Sequence, residues 1–270
     1  MGYFKSRSRS YYRNKKIIKI VLLIISIILI YIYINKNNIK DNNTYVNQIE
    51  QLTILDNQKS GNVKKEKPTI YIYNTHQAEK YKYDKQEDYN VDYNVILASY
   101  ILKWNLGELG LNSLVETSSI SKTIKNNNLK SSQSYKASRI LMEDAKKKNP
   151  ELNFFIDVHR DSSVYEKTTC EIDGVKYAKI LFVVGLEHDN YEKNLELATT
   201  LNNRLKRINP CLSRGIYKKS GPGVNGIYNQ DYSPKTILIE VGGQYNTIDE
   251  ASRILKVMAS ILYEYIMEDA

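Results

Sequence analysis

The stretch that most constrains this chain is Asn153 to Ser163, NFFIDVHRDSS. Phe154 to Val158 holds four apolar residues around one acid, too short a run for a helix, which predicts a buried strand. The apolar run stops at His159-Arg160-Asp161, so a core strand delivers charged residues to its carboxyl end. In an open α/β sheet that end is where ligands collect, because the chain leaves the core there and side chains share a crevice. A strand-end histidine also serves ordinary hydrogen bonding, so the rest of the chain must decide between the two readings.

Other segments repeat the pattern. Thr69 to Tyr73 is β-branched and aromatic, as strands prefer, and it ends in Asn74-Thr75-His76-Gln77-Ala78-Glu79. Thr236 to Val241, TILIEV, is a third such run and carries Glu240. Leu111 to Glu116, Ile180 to Val184 and Gly215 to Lys218 read as further strands, and Thr168 to Lys176 as a hairpin turning at Asp173-Gly174. Between them lie helical spacings. Val95, Ala98, Leu102, Leu106 and Leu109 precede a terminating Gly110. Ser134 to Lys148 stops before Pro150, and Asn190 to Arg207 keeps Leu197, Ala198, Leu201, Leu205 and Ile208 on one face. Thr247 with Glu250 forms a capping box for a closing helix. Strand and helix in alternation predict one α/β domain, a mostly parallel sheet flanked by helices, over residues 68–270.

The net charge of +9 suggests nucleic acid until its location is examined. Nine of the 39 basic residues precede the first acid, Asp41, and the remainder of the chain is formally neutral. Nucleic acid is therefore not an expected partner. The basic residues 1–16 lead into Ile17 to Ile34, an 18-residue apolar stretch, long enough to cross a bilayer. Positive charge on its short side predicts a cytoplasmic N-terminus and an extracytoplasmic domain. No small-residue cleavage site follows, which favours an uncleaved signal anchor over a signal peptide. Residues 35–67, rich in Asn, Lys and Gln, read as a solvated stalk. Cys170 and Cys211 both fall on the outer side, where they could pair, and their spacing is not that of a zinc knuckle.

Three strand ends thus present His76 with Glu79, His159, and Glu240. A hydrolytic zinc site takes three protein ligands from His and carboxylate and leaves a position for water. His76, Glu79 and His159 make such a set, with Asp92 a competitor to Glu79. Glu240, at the end of an apolar strand, is placed for a raised pKa and the role of general base. His188, the remaining histidine, precedes a helix and reads as a cap-region residue. Gly221 to Gly226 matches GxGxxG, but Pro234 prevents the long helix that such a phosphate cradle requires, so it reads as a rim loop.

Five segments in order, THQAE (Thr75–Glu79), DVHRDS (Asp157–Ser162), LSRGI (Leu212–Ile216), YNQDYSP (Tyr228–Pro234) and LIEVGGQYNT (Leu238–Thr247), resemble the stage II sporulation protein P family. The match runs from Thr69 to Ala270. The resemblance implies a fold related to zinc carboxypeptidases and a zinc-dependent N-acetylmuramoyl-L-alanine amidase. Such an enzyme is membrane-anchored and strips stem peptides from peptidoglycan at the sporulation septum during engulfment, with a second activity on peptide crosslinks. It also implies two collaborators, stage II sporulation protein D, a lytic transglycosylase, and a polytopic membrane protein of the same stage. His76, His159 and Glu240 fall on family motif positions. Arg160, Arg214, Gln230 and Asp231 fall on others and are expected to line the substrate groove. Asn74 and Lys80 depart from the His and Ser of many members. The competing expectation is a silent wall-binding module that recruits partner hydrolases, against which the intact His76, Glu79, His159 and Glu240 speak.

Overall fold

The computed structural model describes residues 69–82 and 93–268. The basic tail, the apolar stretch Ile17 to Ile34, the stalk and Asp92 lie outside the described residues. Among the described residues no helix is long and apolar enough to cross a membrane.

Strands β1 (Ile70–Tyr73), β2 (Ser113–Val115), β3 (Phe154–Asp161), β6 (Ile180–Gly185), β7 (Ser213–Lys219) and β8 (Thr236–Gly243) form one sheet in the order β2-β1-β3-β8-β6-β7. β2, β1, β3 and β8 are parallel neighbours, and β6 meets β8 antiparallel while pairing with β7 in parallel. The sheet is therefore largely parallel, as its apolar strands predict. β4 (Thr169–Ile172) and β5 (Val175–Ala178) form the separate hairpin. Its turn holds Asp173 and Gly174 at φ of 51° and 75°, the left-handed pair that a tight hairpin of this twist needs.

Helices α1 (Val95–Glu108), α5 (Tyr191–Ile208) and α6 (Ile248–Glu268) cover one face. Their inward residues, among them Leu102, Leu201 and Met258, meet Ile72, Ile156, Val158 and Ile239 in the main core. Asn94 caps α1 by accepting from the backbone of Ile96 and Leu97. Thr247 and Glu250 cap α6 reciprocally, at 3.0 and 3.2 Å. The opposite face is covered by α2 (Ile120–Asn126) and α3 (Ser134–Lys148), with α4 (Tyr165–Thr168) a single turn after β3. There Tyr71, Tyr73 and Phe155 pack with Met142 and Leu152 in a smaller cluster. α2 falls in what reads as a polar loop, since only Ile120 and Thr123 of its seven residues are buried, too few for a periodic signal. Cys170 and Cys211 are joined, tying β4 to the turn before β7.

Candidate metal centre

The site is built at the carboxyl ends of β1, β3 and β8. β1 is locked by the residue that follows it. The buried Asn74 amide donates to Val158 O at 2.7 Å, Ser99 Oγ at 3.0 Å and Val95 O at 3.2 Å, joining β1, β3 and α1. Asn74 is thus committed to holding the fold together at this strand end. The chain then turns, and the Glu79 N–H donates to His76 O at 3.1 Å. That turn is why an HxxE spacing works here, since it brings His76 Nδ1 within 3.4 Å of Glu79 Oε1.

β3 supplies the third group. His159 Nδ1 lies 3.3 Å from Glu79 Oε2 and 3.5 Å from Oε1. One carboxylate oxygen therefore stands 3.4 and 3.5 Å from two imidazole nitrogens. Ligand atoms held tetrahedrally at about 2.0–2.1 Å from a zinc ion stand about 3.3–3.4 Å apart, so the donor set and its spacing fit that metal. One ligand atom from each of His76, Glu79 and His159 falls within 4.8 Å of the others. The site is graded in exposure, His76 open to solvent and His159 buried.

Both rings show Nδ1 to the shared carboxylate, and each has its Nε2 occupied from behind. His76 Nε2 is 3.1 Å from Ser134 Oγ, the first residue of α3. His159 Nε2 is 2.9 Å from Asp157 Oδ1, close but off the line of a good hydrogen bond, so the contact is mainly electrostatic. Asp157 is 0% exposed. Its Oδ1 accepts from Thr75 N at 3.0 Å and its Oδ2 from Thr75 Oγ1 at 2.7 Å. A single buried carboxylate thus links the residue before His76 to His159, the arrangement by which outer groups orient metal-binding rings. Sequence reading names the acid in this strand but assigns it no role. Its signal is the i, i+2 spacing from His159, which puts both side chains on one sheet face.

Electrostatics follow from this crowding. Burial works against ionised Glu79, but hydrogen bonds from His159, His76 and the Arg160 N–H hold its pKa at about 2. Burial would lower the His159 pKa, and the carboxylates of Asp157 and Glu79 override it and push it up. Each shift favours the charged form of its group against the burial that opposes it. Glu240 is the opposite case. It pairs in register with His159 across the β3–β8 ladder. Burial raises its pKa to about 7, with His159 opposing and the Glu79 and Asp161 charges adding. Its Oε2 is shut off from solvent and has no partner.

Of the groove candidates, Arg214 stands at the mouth of β3, its guanidinium 2.5 Å from Asp161 Oδ2 and 3.3 Å from Ser163 Oγ. Arg160 donates from Nε to Lys80 O at 3.0 Å. Asp231 is exposed and paired with Arg139 at 2.9 Å. Gln230 does not face a groove. It is 1% exposed, with its amide accepting from Gly185 N at 2.9 Å and donating to Val183 O at 2.7 Å, so it fixes the end of β6. His188 is not part of the cluster. The glycine loop opens no long helix, and only a 3-10 turn, Gln230–Tyr232, follows it. It is tied down by Glu187, which accepts from Gly221 N at 2.6 Å.

These features define an α/β domain with a two-histidine, one-glutamate cluster whose donor atoms converge as a metal ion requires, and a buried glutamate beside it. The family model described as Stage II sporulation protein P (SpoIIP) matches residues 32–263. The chain is 33% identical over 205 residues to Stage II sporulation protein P of Bacillus subtilis (strain 168), which covers 74% of this chain and 51% of that protein. The chain belongs to the stage II sporulation protein P family, and it spans about half the length of this curated relative. Among solved structures it is similar to the CwlD amidase from Clostridioides difficile in complex with the GerS lipoprotein (TM-score 0.43, 15% identity, 74% of this chain and 97% of that one). It is also similar to N-acetylmuramoyl-L-alanine amidase AmiC2 of Nostoc punctiforme (TM-score 0.39, 13% identity, 74% and 95%).

Proposed function

We propose that this chain is a zinc-dependent peptidoglycan hydrolase of sporulation that cleaves the amide between N-acetylmuramic acid and L-alanine. The observation that carries the proposal is the pairing of His159 with Glu240. A carboxylate with an unpartnered, desolvated oxygen lies beside three side chains whose ligand atoms converge. Zinc held by His76, Glu79 and His159 would polarise the amide carbonyl and acidify the attacking water. Glu240 takes the water's proton, which its raised pKa equips it to hold, and delivers it to the leaving nitrogen. Asp157 and Ser134 keep the two rings turned toward the centre. Arg160, Arg214 and Asp231 line the approach, where Arg214 suits the acidic groups of a stem peptide.

An extracytoplasmic, membrane-anchored location agrees with the Cys170–Cys211 disulfide, because such bonds persist in oxidising compartments. The partners proposed are stage II sporulation protein D and the polytopic membrane protein of the same stage. The test is digestion of purified peptidoglycan by the full-length chain, with mass spectrometry of the products. Glycan strands freed of peptide support the amidase, and cut crosslinks would instead make it an endopeptidase. Hydrolysis that survives both chelation and His159→Ala rejects the mechanism. Wall binding without hydrolysis makes the chain a recruiting module.

A further inference from the structure

Tyr135 sits at the centre without a function in the mechanism above. It is the second residue of α3, directly after Ser134, whose hydroxyl meets His76. Its ring lies edge-on to His76 at 5.7 Å between centroids and edge-on to Tyr228 at 5.3 Å. It also packs on the small cluster of Val183, Tyr228 and Leu238. Leu238 pairs with Asp157, two residues before the His159–Glu240 pair on the same two strands. The ring therefore stands between His76 and the cluster that includes Leu238, on the strand that also carries Glu240.

The surroundings hold the ring in place. Tyr228 and Asn229 adopt φ of 56° and 58°, left-handed values that are unusual for a bulky residue such as tyrosine. Asn229 donates to Tyr135 O at 3.1 Å and to Ser138 Oγ at 2.9 Å, which pins this turn onto the first turn of α3. Yet the Tyr135 hydroxyl has no hydrogen-bond partner among the described residues. A phenol is protonated at neutral pH, so it is a standing donor beside a site where an amide carbonyl would gain negative charge.

We propose that Tyr135 is a further catalytic residue, whose hydroxyl donates a hydrogen bond to the carbonyl oxygen as negative charge develops on it during attack by water. The phenol keeps its proton, and proton transfer stays with Glu240. The inference rests on the hydrolytic reading of the site, and it adds a donor contributed by α3 to groups contributed by the sheet.

Tyr135→Phe in the full-length chain removes the hydroxyl and keeps the ring. The expected result is a fall of roughly 100-fold in kcat, the scale of losing one such donor. KM, zinc content and melting temperature should stay unchanged, and a phosphinate analogue of the scissile amide should bind more weakly by a similar factor. Wild-type kcat and wild-type phosphinate affinity in Tyr135→Phe overturn the proposal. Loss of zinc or of thermal stability in Tyr135→Phe would also overturn it, by making the hydroxyl structural. A wild-type chain that hydrolyses nothing rejects the hydrolase reading itself, whereas an active wild type matched by Tyr135→Phe rejects only the role of Tyr135.

Discussion

The two faces of the sheet are made from the same strands and do opposite things. On one, Ile72, Ile156, Val158 and Ile239 are all but inaccessible and lie in one cluster with the apolar sides of α1, α5 and α6. On the other, beyond the aromatic cluster of Tyr71, Tyr73 and Phe155, the alternate residues at the strand ends are Asp157, His159 and Glu240, acid-base groups whose charged forms burial penalises. Near the strand ends, stability and chemistry are thus separated by the period-two alternation of a strand. The face under α1, α5 and α6 supplies the burial energy, roughly 1.5–3 kcal/mol for each large aliphatic side chain. That surplus lets the face under α3 hold a desolvated carboxylate and a buried charge pair.

Substitutions on alternate residues of one strand separate the two faces. Glu240→Gln should show the largest effect, a loss of activity of about 10²–10⁴-fold with metal content and melting temperature intact. The wild-type rate should rise as pH rises through about 7, because only ionised Glu240 accepts a proton. The same shift has a sign in stability. Since the folded pKa lies above the ordinary 4.5, Glu240 favours the metal-free fold at low pH. That contribution is lost as pH rises from about 4.5 to about 7, and Glu240→Gln should flatten the corresponding drop in a denaturation series.

Ile239→Ala, one residue away on the packed face, should destabilise the fold by about 2–5 kcal/mol and leave the rate per folded molecule unchanged. A large loss of metal from Ile239→Ala would show that the faces are not independent. Asp157→Asn tests the boundary between them. It should keep the hydrogen bonds of Thr75 largely in place while weakening zinc binding by about 10–100-fold, measured by competition with a chelator. Unchanged affinity would reduce Asp157 to a packing role.

Much of this architecture was readable in the chain, for reasons that differ by element. β3 and β8 declare themselves because central strands are nearly continuous apolar runs, and α6 because Thr247 and Glu250 cap it locally. The HxxE pair was readable because a single turn holds both residues. Ser134 and Tyr135 were not, because each acts through a neighbour distant in the chain, and Asp157 was legible as the acid two residues before His159 but not as the group behind its ring. Ser134 and Tyr135 stand 58 and 59 residues after His76, and nothing in a helix's first turn announces what it faces. Gln230 misled for the same reason. It stands within a family motif, but its amide is spent on the backbone of β6.

The claim on which the rest depends is that His76, Glu79 and His159 share one metal ion. Metal analysis and zinc-edge X-ray absorption of the purified full-length chain test it directly. The expected result is one zinc per chain with nitrogen and oxygen neighbours at about 2.0–2.2 Å, lost in His159→Ala and retained in Glu240→Gln. A chain without stoichiometric zinc, or one whose zinc is indifferent to substitution of all three residues, would contradict it.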